Sequence, residues 1–300
     1  MAGNKGEVLK SLAVNVIIAT SKGIAAAITG SGAMLAETLH SFADCGNQGL
    51  LLLGISRSQK RADSKHPLGY GREMYFWSFI VAMLLFVGGG GFSIYEGIHK
   101  MQHPEPVGDI TIALIILGGA ILLEGWATLG NVKLMNGRRG KTPFFRYMHE
   151  TKDSDLIVVF GENSAAVLGL LLAAGFIIIA KITDDGRWDA AGSLAIGVVL
   201  IGVAIFLAVE VKGLLIGEVA DPVVIAAAEE LVANDPNVEK VLRVLSIQQG
   251  PGEIVVAMKI KFKPGLETAQ LVSAINHFER GLEAKVPEIK WTFIEPDDRD

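Results

Sequence analysis

The sequence predicts an α-helical membrane protein with six transmembrane helices, followed by a cytoplasmic α+β, ferredoxin-like C-terminal domain. Three observations predict it. Half of the 300 residues are hydrophobic and only 20% are charged, and the mean hydropathy of +0.42 is too high for an ordinary soluble protein. Six apolar stretches long enough to cross a hydrocarbon core, roughly 20 residues each, follow one another at 9–29, 33–55, 74–98, 108–132, 155–181 and 190–212. After Gly213 the long apolar runs give way to short helical and alternating patterns. The expected domains are therefore 1–212 and 213–300.

The first span carries Asn15 and Lys22 and no small-residue cleavage site, so it reads as a retained helix and not as a signal peptide. Thirty-five glycines against ten prolines suit closely packed membrane helices. The run Gly88 to Gly91 on the third span permits one helix to approach another, and Tyr75, Phe76 and Trp77 at its start read as an interfacial aromatic belt. Basic residues set the orientation. The N-terminus, the second connection (Arg57, Lys60, Arg61, Lys65, Arg72) and the fourth (Lys133, Arg138, Arg139, Lys141, Arg146, Lys152) hold 13, whereas the other three hold only Lys100, Lys181 and Arg187. The positive-inside rule places both termini in the cytoplasm, which an even number of crossings requires.

In the tail, Val224, Ile225, Ala228 and Leu231 are spaced for a helix. Val238 to Gln249 and Gly252 to Phe262 alternate as two strands about Gly250-Pro251-Gly252. Leu271, Ala274, Ile275, Phe278 and Leu282 return to helical spacing, and Ile289 to Ile294 is a last strand. The region from Gly213 onward holds 15 acidic and nine basic residues against 17 and 18 in the rest. The net charge of −5 therefore lies in the tail, and nucleic acid is excluded as a partner. A single Cys excludes an internal disulfide framework and thiolate-cluster zinc sites.

Charged groups inside a span cost at least about 2.5–3.5 kcal/mol each, so each calls for a reason. On the second span Glu37, His40 and Asp44 stand at i, i+3 and i+7, one helical face. An imidazole and a carboxylate one turn apart can both ligate a divalent transition ion without a thiol. An interhelical hydrogen-bonding cluster is the alternative. On the fifth span Glu162, followed by Asn163, is the one charged residue away from the ends and the natural partner of that face, unless it pairs with a basic residue at the boundary. Lys22 on the first span and Glu124 on the fourth are expected to pair with each other. Cys45 reads as packing. Nothing resembles a phosphate-binding loop, a nucleophile elbow or a paired acid and base, so the chain is not expected to be an enzyme.

Six spans with both termini inside, His40-x-x-x-Asp44 on the second, and an α+β tail ending Ile294-Glu295-Pro296 together resemble the cation diffusion facilitator family of metal–proton antiporters. The segment Asp63-Ser64-Lys65-His66-Pro67-Leu68-Gly69-Tyr70-Gly71-Arg72 is similar to the family's D-x-x-H-P-x-G-H/Y-G-K/R. Glu96 with Pro104-Glu105-Pro106, and Asp189 to Ser193 at the start of the sixth span, fit as well. The chain departs from the family in lacking a His on the fifth span. Three registers lay that span on the second, and each keeps one acid, Glu162. The Gly161-Glu162-Asn163 segment is similar to a divergent branch that includes a mitochondrial zinc transporter of animals. Tyr70 stands where relatives often have a His of a loop metal site, leaving Asp63 and His66, and His277 is the tail's one imidazole.

The resemblance implies a secondary transporter that exports a divalent cation, Zn²⁺ first and Mn²⁺ or Fe²⁺ as alternatives, from the cytoplasm in exchange for protons. The ligands would be His40 and Asp44, with Glu162 and Asn163 from the fifth span. No prosthetic group is implied, and the expected partners are the metal ion and protons, the lipid bilayer, and a second copy in a homodimer joined through the tail. The expected location is a bacterial inner (plasma) membrane. The rival reading is a non-transporting membrane scaffold or regulatory subunit with a degenerate site.

Overall fold

The computed structural model describes residues 5–104, 109–151, 154–220 and 223–299. Glu105, Pro106 and Lys152, named above, lie outside the described residues. The chain divides into two compact units. One comprises Met1–Ile55, Phe76–His149 and Ser154–Val211. The other comprises Ser56–Tyr75, Glu150–Asp153 and Lys212–Asp300.

The first unit is helical. Helix α1 (Lys5–Thr29) stops because Gly30 takes a left-handed φ of +66°, and α2 (Gly32–Ser58) restarts two residues later. The restart is capped twice. Ser31 Oγ accepts from the Met34 amide at 3.1 Å, and the Asp189 carboxylate accepts from the Ser31 hydroxyl and the Gly32 amide at 2.5 Å each. A carboxylate on exposed amides at a helix start satisfies donors that the helix cannot. Lys100 completes the turn by donating to the Gly30 carbonyl.

Helix α3 (Glu73–Leu84) runs through a π-helical turn, Leu85–Gly91, into α4 (Phe92–Gln102), so Glu73–Gln102 is one continuous 30-residue helix. The glycine run lies within that turn. A methyl group at Gly90 would stand 2.5 Å from Ile201 Cγ1, and one at Gly97 would stand 2.9 Å from the Leu194 amide. The close approach expected from the glycines is therefore made against α8 (Arg187–Ile216). The belt reading needs correction at one residue: Phe76 is exposed, but Tyr75 is fully buried.

Helices α5 (Thr111–Arg138) and α7 (Ser154–Thr183) are the other long helices, and the short α6 (Phe144–Glu150) lies between them. Met148 of α6 packs with Met135 and Leu156. Among the described residues four helices are long and apolar enough to cross a membrane: Glu73–Gln102, Thr111–Arg138, Leu156–Thr183 and Arg187–Ile216. The expected first span shortens to an apolar Asn15–Thr29. The second is diluted by Glu37, His40, Asp44, Asn47 and Gln48, the residues that give α2 its interest.

In the second unit the tail folds as α9 (Val223–Asn234), β1 (Val238–Gly250), β2 (Glu253–Phe262), α10 (Thr268–Lys285) and β3 (Ile289–Pro296), the order expected from its periodicity. Strands β1 and β2 are antiparallel around a tight turn, with Gly250 opposite Glu253 and Gly252 at φ +69°. Strand β3 returns parallel to β2 after the α10 crossover. Ile254, Val256, Met258 and Ile260 alternate into a core shared with Val224, Ala228, Phe278 and Leu282, while Ile225 of α9 is 40% exposed. A reciprocal capping box between Glu267 and Gln270 starts α10. Among the described residues the sheet has three strands, in the order β1-β2-β3. A ferredoxin-like unit opens with a further strand. Here Gly217 to Ala220 form no strand, and the Gln248 amide donates to the Glu218 carbonyl at 3.0 Å.

Candidate metal-transport site

The α-helical repeat brings residues at i, i+3 and i+7 to one face. On α2 that stripe runs one turn beyond Asp44, through Glu37, His40, Asp44 and Asn47. His40 is fully buried, and its Nδ1 lies 3.7 Å from Asp44 Oδ1, whose side chain is 17% exposed. Both ring nitrogens of His40, Asp44 Oδ1, Asn47 Oδ1 and Gln48 Oε1 are buried without a hydrogen-bond partner. Buried polar atoms are normally satisfied, and an orphan invites an explanation. Here five such atoms stand on consecutive turns of one helix, and all are nitrogen or oxygen donors of the kind that ligate divalent cations.

Helix α7 meets this stripe through two contacts. Asn47 Nδ2 donates to Glu162 Oε1 at 2.8 Å, and Glu162 is 7% exposed. Seven residues along α7, Gly169 lies against the Glu37 carboxylate, which would have to shift to admit a Cβ there. Between these contacts run Ala165 and Ala166, both buried. The side of α7 that faces the stripe is thus small, apart from one acid. Among the described residues no three His, Cys, Asp or Glu side chains come together as a metal-binding group. Beside the His40–Asp44 pair, the oxygens of Asn47 and Gln48 are the further unpartnered donors on α2. Asn163, the neighbour of Glu162, is partly buried, and its backbone carbonyl accepts from Thr128 of α5 at 3.4 Å. Asn47 is the residue that sequence reasoning missed. Its signal was the same stripe carried to i+10 from Glu37.

Lys22 does not pair with Glu124. Its ammonium lies 3.2 Å from Glu37 Oε2 and 2.8 Å from Ser41 Oγ, and Lys22 and Glu37 are both fully buried. The two-residue turn at Gly30 and Ser31 explains the correction, because an antiparallel pair of helices joined there brings Lys22, eight residues before Gly30, opposite Glu37, seven after it.

In the second unit, Asp63 accepts from the Lys65 and His66 amides at 2.9 Å each and from the Tyr70 hydroxyl at 2.7 Å. The Tyr70 hydrogen bond, reinforced by these amides, holds the Asp63 carboxyl down to about 2. His66 Nδ1 lies 3.7 Å from Asp63 Oδ1 and the ring packs on Tyr70. Both Asp63 oxygens are thereby engaged in holding the loop.

Comparison with known proteins agrees with this architecture. Residues 8–216 match the cation efflux transmembrane domain. The chain is 32% identical over 293 residues, 96% of its length and 51% of the relative's, to the human mitochondrial proton-coupled zinc antiporter SLC30A9. It is 32% identical over 235 residues, 77% of this chain and 51% of the relative, to metal tolerance protein C4 of Arabidopsis thaliana. Over 80 residues, 27% of each chain, it is 40% identical to the magnetosome protein MamB of Magnetospirillum gryphiswaldense. The chain spans about half the length of the first two relatives. With the domain match covering well over half of the sequence, the chain belongs to the cation diffusion facilitator family.

Proposed function

We propose that the chain is a secondary transporter that moves Zn²⁺ out of the cytoplasm in exchange for protons, through a site built on α2 and completed from α7. The observation that carries this reading is the set of buried, unpartnered donor atoms on His40, Asp44 and Asn47, with Glu162 held beside them by Asn47. His40 and Asp44 are the central ligands. Glu162 is a third ligand or the acid that carries the proton, and Asn163 supports it from the same turn. Ligation needs a neutral imidazole and ionised carboxylates, so metal and protons compete for one set of groups, and exchange follows from the chemistry of the site. Alternating access then amounts to rocking of the helices about that fixed site.

The names of the relatives in humans and Arabidopsis support metal transport, and the name of the human protein supports zinc and proton coupling. Six crossings with both termini in the cytoplasm follow from the distribution of basic residues, with α1 and the polar α2 joining the four apolar spans. The membrane is one that sustains a proton gradient, such as a bacterial inner membrane. The tail, a ferredoxin-like unit short of its first strand, joins two copies into a homodimer. Purified protein in proteoliposomes tests the reading: an imposed pH gradient should drive zinc uptake, and that uptake should be lost in H40A. A protein that moves no metal under a gradient is the scaffold of the rival reading.

A further inference from the structure

We infer that Lys22 determines ion selectivity by keeping Glu37 out of the metal's ligand set. The inference rests on the α2 site proposed above and concerns a residue that this reading leaves unused. Glu37 stands where two rows of α2 diverge. One row runs from Glu37 to His40, Asp44 and Asn47, and the last three carry the donor atoms of the proposed site. The other, one turn apart at i and i+4, is Glu37 and Ser41, and Lys22 reaches across from α1 to hold both, at 3.2 and 2.8 Å.

The pair is fully buried, and Lys22 occupies only one of the two carboxylate oxygens. Glu37 Oε1 has no hydrogen-bond partner and lies against Gly169, where a Cβ would make it shift. Glu37 is therefore a carboxylate with a free oxygen one turn from His40, tied down by a neighbouring ammonium. With Glu37 restrained, the donors available to an ion are one imidazole, Asp44, Glu162 and amide oxygens. With Glu37 released, the set gains a further carboxylate, a second acid on α2. Carboxylate-rich sites suit Mn²⁺, whereas an imidazole-containing set of lower coordination number suits Zn²⁺.

Equilibrium binding of Zn²⁺ and Mn²⁺ to the full chain in detergent, measured by competition, tests this with three variants. K22M frees Glu37 and should raise the Mn²⁺-to-Zn²⁺ affinity ratio on the order of tenfold, the scale on which groups around metal ligands act. K22M/E37L removes both charges and should return the ratio to that of the wild type. E37Q keeps Lys22 and should leave the ratio as in the wild type, which tests the inference even if K22M fails to fold. An unchanged ratio in K22M, a rise that persists in K22M/E37L, or a loss of zinc affinity of about tenfold or more in E37Q overturns the inference. If the wild type binds zinc in a manner lost in D44A while K22M is unaltered, this inference alone fails; if the wild type binds neither ion, the site reading fails with it.

Discussion

On α2, His40 Nδ1 lies 3.7 Å from Asp44 Oδ1, and in the connection that follows, His66 Nδ1 lies 3.7 Å from Asp63 Oδ1. The residue types and the separation are the same, yet the surroundings are opposite. His40 is fully buried and neither ring nitrogen has a partner, whereas the side chains of His66 and Asp63 are 52% and 40% exposed. Asp63 already accepts three hydrogen bonds. A metal at Asp63 would have to displace bonds that hold the loop. A metal at Asp44 and His40 would satisfy atoms that the fold leaves bare. The spacing of ligand-type residues thus says little until the uses already made of their lone pairs are counted.

The comparison breaks most sharply by substitution at the two pairs. D44A should lower zinc flux more than about a hundredfold, beyond the 10–100-fold usual for groups outside the ligand set, while the D63A/H66A variant should transport zinc as the wild type does. Transport assays on both, with circular dichroism to confirm the helices, check this. Equal losses in the two variants would return the loop to the functional site.

Next in size is the cost of breaking the buried ion pair. Removing one partner of such a pair typically costs about 3–5 kcal/mol, whereas replacing both with apolar groups is close to neutral. K22M should therefore lower the thermal midpoint well below that of K22M/E37L. Measured by tryptophan fluorescence in detergent, equal midpoints in the two variants would mean that Lys22 and Glu37 do not depend on each other for burial.

Smaller effects are expected on the α7 side. E162Q removes a titrating acid and keeps its shape, so zinc flux should fall on the order of tenfold and its dependence on pH should flatten. N47L removes the amide that holds Glu162 and should lower flux on a similar scale while leaving the pH profile its wild-type form. Identical pH profiles in E162Q and the wild type would make Glu162 a structural group.

How much of this was legible in the sequence can be argued residue by residue. The stripe of α2 was readable, because 3.6 residues per turn fixes which positions share a face, and apolar surroundings make His40 and Asp44 conspicuous. The tail was readable for the same reason, with period 2 in β2 and helical spacing in α10. Contacts between helices were less so. Lys22 had two acids to choose from, and only the tight turn at Gly30 and Ser31 decides for Glu37. The partner of Glu162 depends on how α7 lies along α2, which no periodicity fixes, so three registers stayed open and Asn47 went unnoticed. The close approach of the Gly88 to Gly91 turn likewise depends on a neighbouring helix, α8.

The smallest expected effect is that of pH on the loop. The Asp63 carboxyl titrates at about 2, below its ordinary 3.8. A depressed value means that its contribution is complete above the ordinary carboxylate range and is lost as pH falls from about 4 through 2. Slowed hydrogen exchange at the Lys65 and His66 amides in wild type relative to D63N should therefore be seen at neutral pH. No difference between the two at neutral pH would show that the Asp63 bonds do not order the loop.

The central claim is that the bare donors on α2 are where the ion binds. Zinc uptake into proteoliposomes under an imposed pH gradient, compared between wild type and D44A, tests it most directly. The account predicts gradient-driven zinc uptake in the wild type and none above that of empty vesicles in D44A; uptake in D44A equal to that of the wild type would contradict it.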